Sequence, residues 1–377
     1  MKNSSLAERL LPKPLKDELE RIFLHHNGDR ADARDGVSSE KTRLERRNVI
    51  LLSFAQLWES GFRLEQARSL GERHIKVLAD RWEKEGLVAT TLHTRISNLS
   101  VFAAWIGKPG MVKRPRDYFP EEVVRRTFVA QENRAWTAHD VDPESVIARA
   151  WEIDERLALY LALQHHFGLW VMESIELCPA RALVEGGNAI AIYGGTSHGR
   201  PRLILLETPE QRAVFEWALE VGAKSRSGRI RWPGLTAKQA RRHFYYLLSE
   251  KMGVNKRETG VTAHGLRSGC AQRHYRRLTG LPTPIEGGAL GKIDFATHQA
   301  ASLLVAKALG QSGTASYYGS YGHALRGTKS TVTLPASNAS ANVVDAQSGG
   351  AADVQPRTQD DETNPTDPMS SQERKAP

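Results

Sequence analysis

Val261-Thr262-Ala263-His264-Gly265-Leu266-Arg267 places a histidine and an arginine three residues apart at a loop-to-helix entry. From there both side chains can reach one small anionic group. The guanidinium offers parallel N–H donors to two phosphate oxygens, and the imidazole adds a proton donor or acceptor beside them. A helix-start cap with a surface ion pair is the competing reading of the same residues. The surrounding chain is basic and long, and three tyrosines, Tyr317, Tyr318 and Tyr321, follow downstream.

The 377 residues exceed what one small core organises and suggest two domains with extra segments. Lys and Arg number 52 against 43 Asp and Glu, a formal charge of +9. From Gly327 onward there are 4 basic and 7 acidic residues, which leaves +12 on the part before it. That excess favours a polyanionic partner, nucleic acid first and an acidic membrane second. A basic enzyme acting on something else is the bland alternative. No apolar run approaches the roughly 20 residues that span a bilayer, and Met1-Lys2-Asn3-Ser4-Ser5 lacks the apolar core of a signal peptide. Cys178 and Cys270 form neither a disulfide framework nor a zinc pattern. The pairs His25-His26 and His165-His166 have no ligand partner at useful spacing. The expectation is a cytoplasmic chain without membrane, metal or cofactor.

Residues 1–37 read as a polar lead with one short amphipathic stretch, Leu15 to Phe23. From Ser38 a helical period begins, with Val49, Leu52 and Leu57 on one face and Lys41, Arg43, Arg46 and Arg47 at its start. Gly61 ends it, and His74–Glu85 and Thr90–Trp105 continue the pattern until Gly107 and Pro109-Gly110. Val112-Lys113-Arg114-Pro115-Arg116 reads as the start of a linker able to lie along a phosphate backbone, or as a solvated loop. A second domain is expected from Asp142. It opens with a helix over Ile153–Phe167, then a hairpin of Ala189–Tyr193 and Arg202–Leu206 around the turn Gly194–Gly199. Helices follow at Glu210–Val221, Ala237–Lys251, His264–Leu278 and Thr297–Leu309, before a Ser/Ala/Asn/Pro/Asp-rich tail that is expected to be disordered.

These features resemble the tyrosine recombinases, the phage-type integrases, over residues 38–322, and most of all mobile-element integrases with a SAM-like N-terminal module. The first half carries Lys41-Thr42-Arg43, Gly61-Phe62-Arg63-Leu64, Arg73-His74-Ile75, Trp82 and Trp105-Ile106-Gly107-Lys108. The second carries Phe167-Gly168-Leu169, Gly195-Thr196, Gly199-Arg200-Pro201-Arg202, Thr208-Pro209-Glu210-Gln211-Arg212, the His264–Arg267 stretch, Leu278-Thr279-Gly280, Leu309-Gly310 and Tyr317-Tyr318-Gly319-Ser320. The resemblance implies a mainly α fold with a small β-hairpin region, a two-domain DNA clamp. Its segments are a lead (1–37), a SAM-like DNA-binding domain (38–112), a linker (113–141), a catalytic-type domain (142–326) and a tail (327–377).

It also implies a chemistry in which a tyrosine attacks a DNA phosphodiester to form a 3′-phosphotyrosine, with arginines and a hairpin lysine stabilising the transition state and no metal or cofactor. His264, Arg267 and Tyr317 match that pattern, with Tyr318 and Tyr321 as rival nucleophiles. Three positions depart from it. Trp170 follows Gly168-Leu169 where the first arginine is expected, Ser197 follows Gly195-Thr196 in place of the lysine, and Gln311 follows Leu309-Gly310 in place of a histidine. Tyr317 also lies about three residues too close to Leu309-Gly310. The resulting expectation is an integrase-like protein that binds double-stranded DNA and takes part in recombination or integration of a mobile element, with strand cleavage weak or lost. An active recombinase working through Tyr317 is the alternative, and a basic helical protein that ignores nucleic acid is a third. Candidate DNA contacts are Lys41, Arg43, Arg46, Arg47, Arg95, Lys108, Lys113, Arg114, Arg200, Arg202, Lys238, Arg241 and Arg242. A homo-oligomer on DNA or an intact recombinase is the implied protein partner, in a bacterial, nucleoid-associated setting.

Overall fold

The computed structural model describes residues 2–28, 38–126, 129–196, 201–288, 292–311 and 313–321. The expected disordered tail lies outside the described residues. Described helices run α1 (Lys2–Leu10), α2 (Lys13–His26), α3 (Glu40–Glu59), α4 (Glu72–Lys84), α5 (Ala89–Trp105) and α6 (Glu121–Val124). They continue as α7 (Pro143–Ile153), α8 (Glu155–Phe167), α9 (Val171–Glu176) and α10 (Pro179–Ala182). After strands β1 (Ala189–Ile192) and β2 (Arg202–Leu205) come α11 (Pro209–Ala223), α12 (Ala237–Tyr245), α13 (His264–Thr279), α14 (Phe295–Ala308) and α15 (Thr314–Ser320). None of the described helices is long and apolar enough to cross a membrane.

Two separate apolar cores organise these elements within one compact unit. The first is centred on Phe54, Trp82 and Phe102 from α3, α4 and α5. Ser39 starts α3 by accepting the Thr42 amide at 3.1 Å, and the Trp82 indole donates to Gln56 Oε1 at 2.9 Å inside the bundle. The lead expected to be polar belongs to this core. Ala7, Leu11, Leu15, Leu19 and Phe23 recur every fourth residue and are all buried in it. The expected linker is likewise partly core, since Val112, Phe119 and Val124 are buried in the first cluster and Trp136 in the second.

The second core is built around α8, where every residue from Leu157 to His165 is buried. A helix apolar on all sides must be surrounded, and α7, α9, α11 and α13 supply the walls. Asp154 caps its start by accepting the Leu157 amide at 2.8 Å. Gly168 ends it in the left-handed region (φ +62), where an added Cβ would lie 2.5 Å from Leu309 Cδ2. The hairpin pairs β1 with β2 antiparallel, from Ala189 opposite Leu205 to Ile192 opposite Arg202. Ser197, His198, Gly199 and Arg200 of the expected turn lie outside the described residues. The stretch expected as one helix over Ala237–Lys251 changes pitch: α12 closes at Tyr245 and a π-helical turn takes Tyr246–Lys251.

Because Phe23 is core rather than lead, Phe23→Ala is expected to lower unfolding free energy by about 3–5 kcal/mol. Leu24→Ala, at a position 90% exposed, is expected to change it by under about 0.5 kcal/mol. Equal urea midpoints for the two variants would show that α2 does not share the first core.

Candidate active site

The sequence around His264 folds as expected, with α13 beginning at the histidine and Arg267 one turn on. Gly265 is required there by close approach: a Cβ would sit 2.3 Å from the Arg134 carbonyl oxygen and 2.6 Å from Trp136 Cδ1. Trp136 in turn donates its indole N–H to Thr262 O at 2.8 Å, fixing the approach to the helix.

Arg267 is 1% exposed, and each nitrogen of its fork is engaged. Nη1 donates to Gly168 O and Nη2 to Leu309 O. Nε donates to the Tyr321 hydroxyl at 2.6 Å. Gly168 and Leu309 are the C-caps of α8 and α14, whose last carbonyls carry the negative ends of the helix dipoles. The indole of Trp170 covers the guanidinium, with Cζ 4.5 Å from the ring centroid. The same indole stacks on His264 at 5.2 Å and 22°.

Trp170 is therefore the roof of this cluster, 36% exposed, and not an ordinary core tryptophan. Burial, with Arg267 and Arg134 adding to it, lowers the pKa of His264 to about 4. Gln311, where a histidine was expected, donates weakly to Ser316 O (3.3 Å) and Ser320 Oγ (3.4 Å). Ser197 lies outside the described residues.

The phenol that reaches Arg267 belongs to Tyr321. Tyr317, which the Tyr-x-Gly pattern singled out, is fully buried and stacks on Tyr275 with centroids 6.3 Å apart. Its hydroxyl has no hydrogen-bond partner among the described residues, and burial raises its pKa well above the ordinary tyrosine value. Tyr318 stacks on His298 at 5.5 Å. Tyr321 closes α15 one turn after Tyr317, and its ring lies 6.1 Å from that of His264. The three-residue shortfall before Tyr317 was the available sign that the phenol one turn later is the one to consider.

Glu173 is a site residue that sequence reasoning missed. Fully buried, it receives both terminal nitrogens of Arg202, with Nη2 to Oε2 at 2.7 Å, and also accepts the Trp170 amide at 2.7 Å. Arg202 Nε donates to Ala308 O at 3.1 Å. Arg202 was expected to face DNA and is instead a buried strut between α9 and α14. The signal that could have found the pair is a glutamate three residues after a helix-starting residue, the spacing of a capping box.

The other expected DNA contacts divide by their partners. Lys41, Arg43, Lys113, Arg114, Lys238, Arg241 and Arg242 are exposed. Arg46 is buried, donates to Asn27 Oδ1 at 3.2 Å and lies over Trp105, so it is a core residue. Arg47 is paired with Glu20, and Lys108 donates to Arg68 O and Leu70 O at 2.5 and 2.8 Å. Arg95 is half-buried over the Trp82 ring. Arg200 lies outside the described residues.

The depressed pKa of His264 carries a pH signature. Unfolded histidine binds a proton near pH 6.5, whereas the folded one resists until about 4. Between these values the unfolded state holds more protons, so stability falls as pH is lowered through that window. The loss from this one group is on the order of 3 kcal/mol at the low end. Denaturant midpoints from pH 7 to 4.5 should show this fall, and His264→Gln should make it shallower by one histidine's share, with the buried His165, His166 and His274 supplying the rest; an unchanged slope in the variant removes His264 as a source.

Residues 30–112 match the family model for the phage integrase N-terminal domain. Among solved structures, the chain is similar to the Tn1549 transposon integrase in complex with transposon right end DNA. The two are 13% identical, with 82% of this chain and 96% of that one covered and a TM-score of 0.50. A complex of the same integrase with circular intermediate DNA gives 14%, 82%, 96% and 0.47. The XerA recombinase gives 14%, 80%, 93% and 0.29. No curated protein matches the chain. Residues 30–112 thus carry a phage integrase N-terminal module, and the chain shares the fold of the Tn1549 transposon integrase.

Proposed function

We propose that this protein binds double-stranded DNA as an integrase-type factor in the recombination or integration of a mobile element, with strand cleavage weak or lost. The observation that carries the reading is the state of Arg267. All three nitrogens of its fork already hold protein oxygens, and Trp170 lies on its open face where a second guanidinium would be needed. A phosphate entering this cluster has to displace main-chain carbonyls or a phenol and an indole. Losing one transition-state donor costs roughly 10²–10³ in rate, and an arginine replaced by an indole removes at least that much.

DNA binding makes no such demand, because it sums many modest phosphate contacts. Seven of the expected cations are exposed, and α12 adds aromatic surface, with Arg241 over the Tyr245 ring at 5.8 Å. The likeness to an integrase solved on transposon DNA supports the same partner. In this reading residues 38–112 and 142–326 act as two DNA-holding domains, on or beside an intact recombinase or further copies of this chain.

A working recombinase is the second reading, and one contact favours it. Tyr321 presents its hydroxyl 2.6 Å from Arg267 Nε, close to where a nucleophile and a phosphate-binding arginine meet. In that reading Tyr321 replaces Tyr317 as the nucleophile.

A suicide substrate built from genome fragments selected for binding separates the two. The expected result is a strong gel shift and no covalent adduct. A robust adduct from the unmodified protein overturns the proposal, and its loss in Tyr321→Phe but not Tyr317→Phe assigns the nucleophile. For binding, Lys238→Ala and Arg241→Ala should each weaken affinity across all sequences and reduce the salt slope by about 1. Shifts that ignore salt between 50 and 200 mM would remove the nucleic-acid reading.

A further inference from the structure

The adjacent histidines at the end of α8 acquire in the fold the third ligand that their sequence neighbourhood lacks. Glu144, in the first turn of α7, brings Oε1 to 3.3 Å from His165 Nε2 and 3.4 Å from His166 Nε2. All three ligand atoms lie within 4.8 Å of one another. A charge-assisted N–H···O contact is shorter, about 2.7–2.9 Å. Zn–N and Zn–O bonds of about 2.0–2.2 Å set ligand–ligand edges of about 3.3–3.6 Å in a tetrahedron. The separations of 3.3 and 3.4 Å are edges of that kind.

We propose that Glu144, His165 and His166 form a site for a divalent transition-metal ion, with Zn²⁺ and Co²⁺ the best matched. Two imidazoles and one carboxylate are a borderline donor set suited to these ions, and three protein ligands leave a fourth position for water. Placement favours a cation as well, since the last turn of α8 presents the negative end of its helix dipole. The Glu144 side chain is 61% exposed, which gives an ion a path in from solvent.

Arg273 lines the same cavity and opposes cation uptake, donating Nη2 to His165 O at 2.5 Å. Two carboxylates of the lining, Glu144 and Glu210, offset it, while Arg276 and Arg277 are paired with Glu286 and Glu207. An ion here ties the start of α7 to the end of α8, two residues before the Gly168 carbonyl that holds Arg267. The site is thereby a clip on the scaffold of the arginine cluster, and it stands whether or not that cluster cleaves DNA.

The test is a titration of chelator-treated full-length protein with Co²⁺, read by visible d–d absorption. The chain has 13 histidines and two cysteines, so the comparison between variants carries the result. The expected outcome is one saturable equivalent with tetrahedral intensity, displaced by Zn²⁺. It should be lost, at least tenfold in affinity, in both Glu144→Gln and His166→Gln. Glu144→Gln alters an exposed group and keeps the fold testable, with far-ultraviolet circular dichroism as the check. Zn²⁺ should raise the melting midpoint of the wild-type protein and leave that of Glu144→Gln unmoved. Absence of a saturable equivalent, or equal uptake by both variants, overturns the site.

Discussion

A buried guanidinium without a carboxylate to neutralise it is costly unless each donor finds an oxygen. Arg267 meets that demand by drawing three chain ends to one point: the C-cap of α8, the C-cap of α14 and the Tyr321 hydroxyl at the end of α15. Elements distant in sequence are thereby locked in register, over separations of 99, 42 and 54 residues. Arg202 does the same work one layer away, with the Glu173 carboxylate and the Ala308 carbonyl as its partners. Glu173 also takes the Trp170 amide, so the indole's position over Arg267 depends on this second buried cation. The two arginines and the roof they share form one cooperative unit, in which breaking any contact leaves another polar group buried and unpaired.

That arrangement sets competing demands on Arg267. As a structural bridge it is satisfied by protein oxygens; as a phosphate ligand it must release some of them. A phosphate carries more charge than two carbonyls and a phenol, so the exchange is favourable electrostatically if the indole can move aside. Trp170 opposes that movement through its stack on His264 and its face-on contact with the guanidinium. The neutral state of His264, enforced by burial, removes a further positive charge from the place where phosphate would enter. Both effects lower the affinity of this cluster for an anion without weakening the fold.

Much of the fold was legible in local signals. Ser39, Asp154, Thr208 and Asp294 each cap a helix that periodicity had already placed. The hairpin followed from alternation in Ala189–Ile192 and Arg202–Leu205 around a glycine-rich turn. Residues 2–26 were harder because Pro12 and Pro14 fall inside an otherwise even four-residue period and break the helix there, and the apolar face is buried through contact with α3 and α5. The burial of cations was far less legible. Nothing beside Arg46, Arg202 or Arg267 in sequence marks them as buried, and what buries them is Trp105 and Asn27, Glu173, and two helix ends far along the chain. The tyrosine that meets Arg267 is not the one that the Tyr-x-Gly pattern singles out: a four-residue step from Tyr317 to Tyr321 turns a phenol from the Tyr275 stack to the arginine.

The same sorting clarifies the basic surplus. A charge of +12 before the tail suggested thirteen DNA contacts, yet several of those cations are spent inside the protein on carbonyls, carboxylates and aromatic faces. The cations left exposed fall into three short groups, at the start of α3, at Lys113-Arg114 and along α12. On α12 the step from Lys238 to Arg241 and Arg242 follows the helical period, and the π-helical turn after Tyr245 keeps Tyr246 exposed with Lys251 over its ring at 5.6 Å. Charges at helical spacing beside half-exposed aromatic rings suit a phosphate backbone better than a scattered surface does, because one face meets successive phosphates without rearrangement. Of the thirteen candidates, those free to meet a phosphate are therefore fewer than the net charge implies, and none of them belongs to the Arg267 cluster.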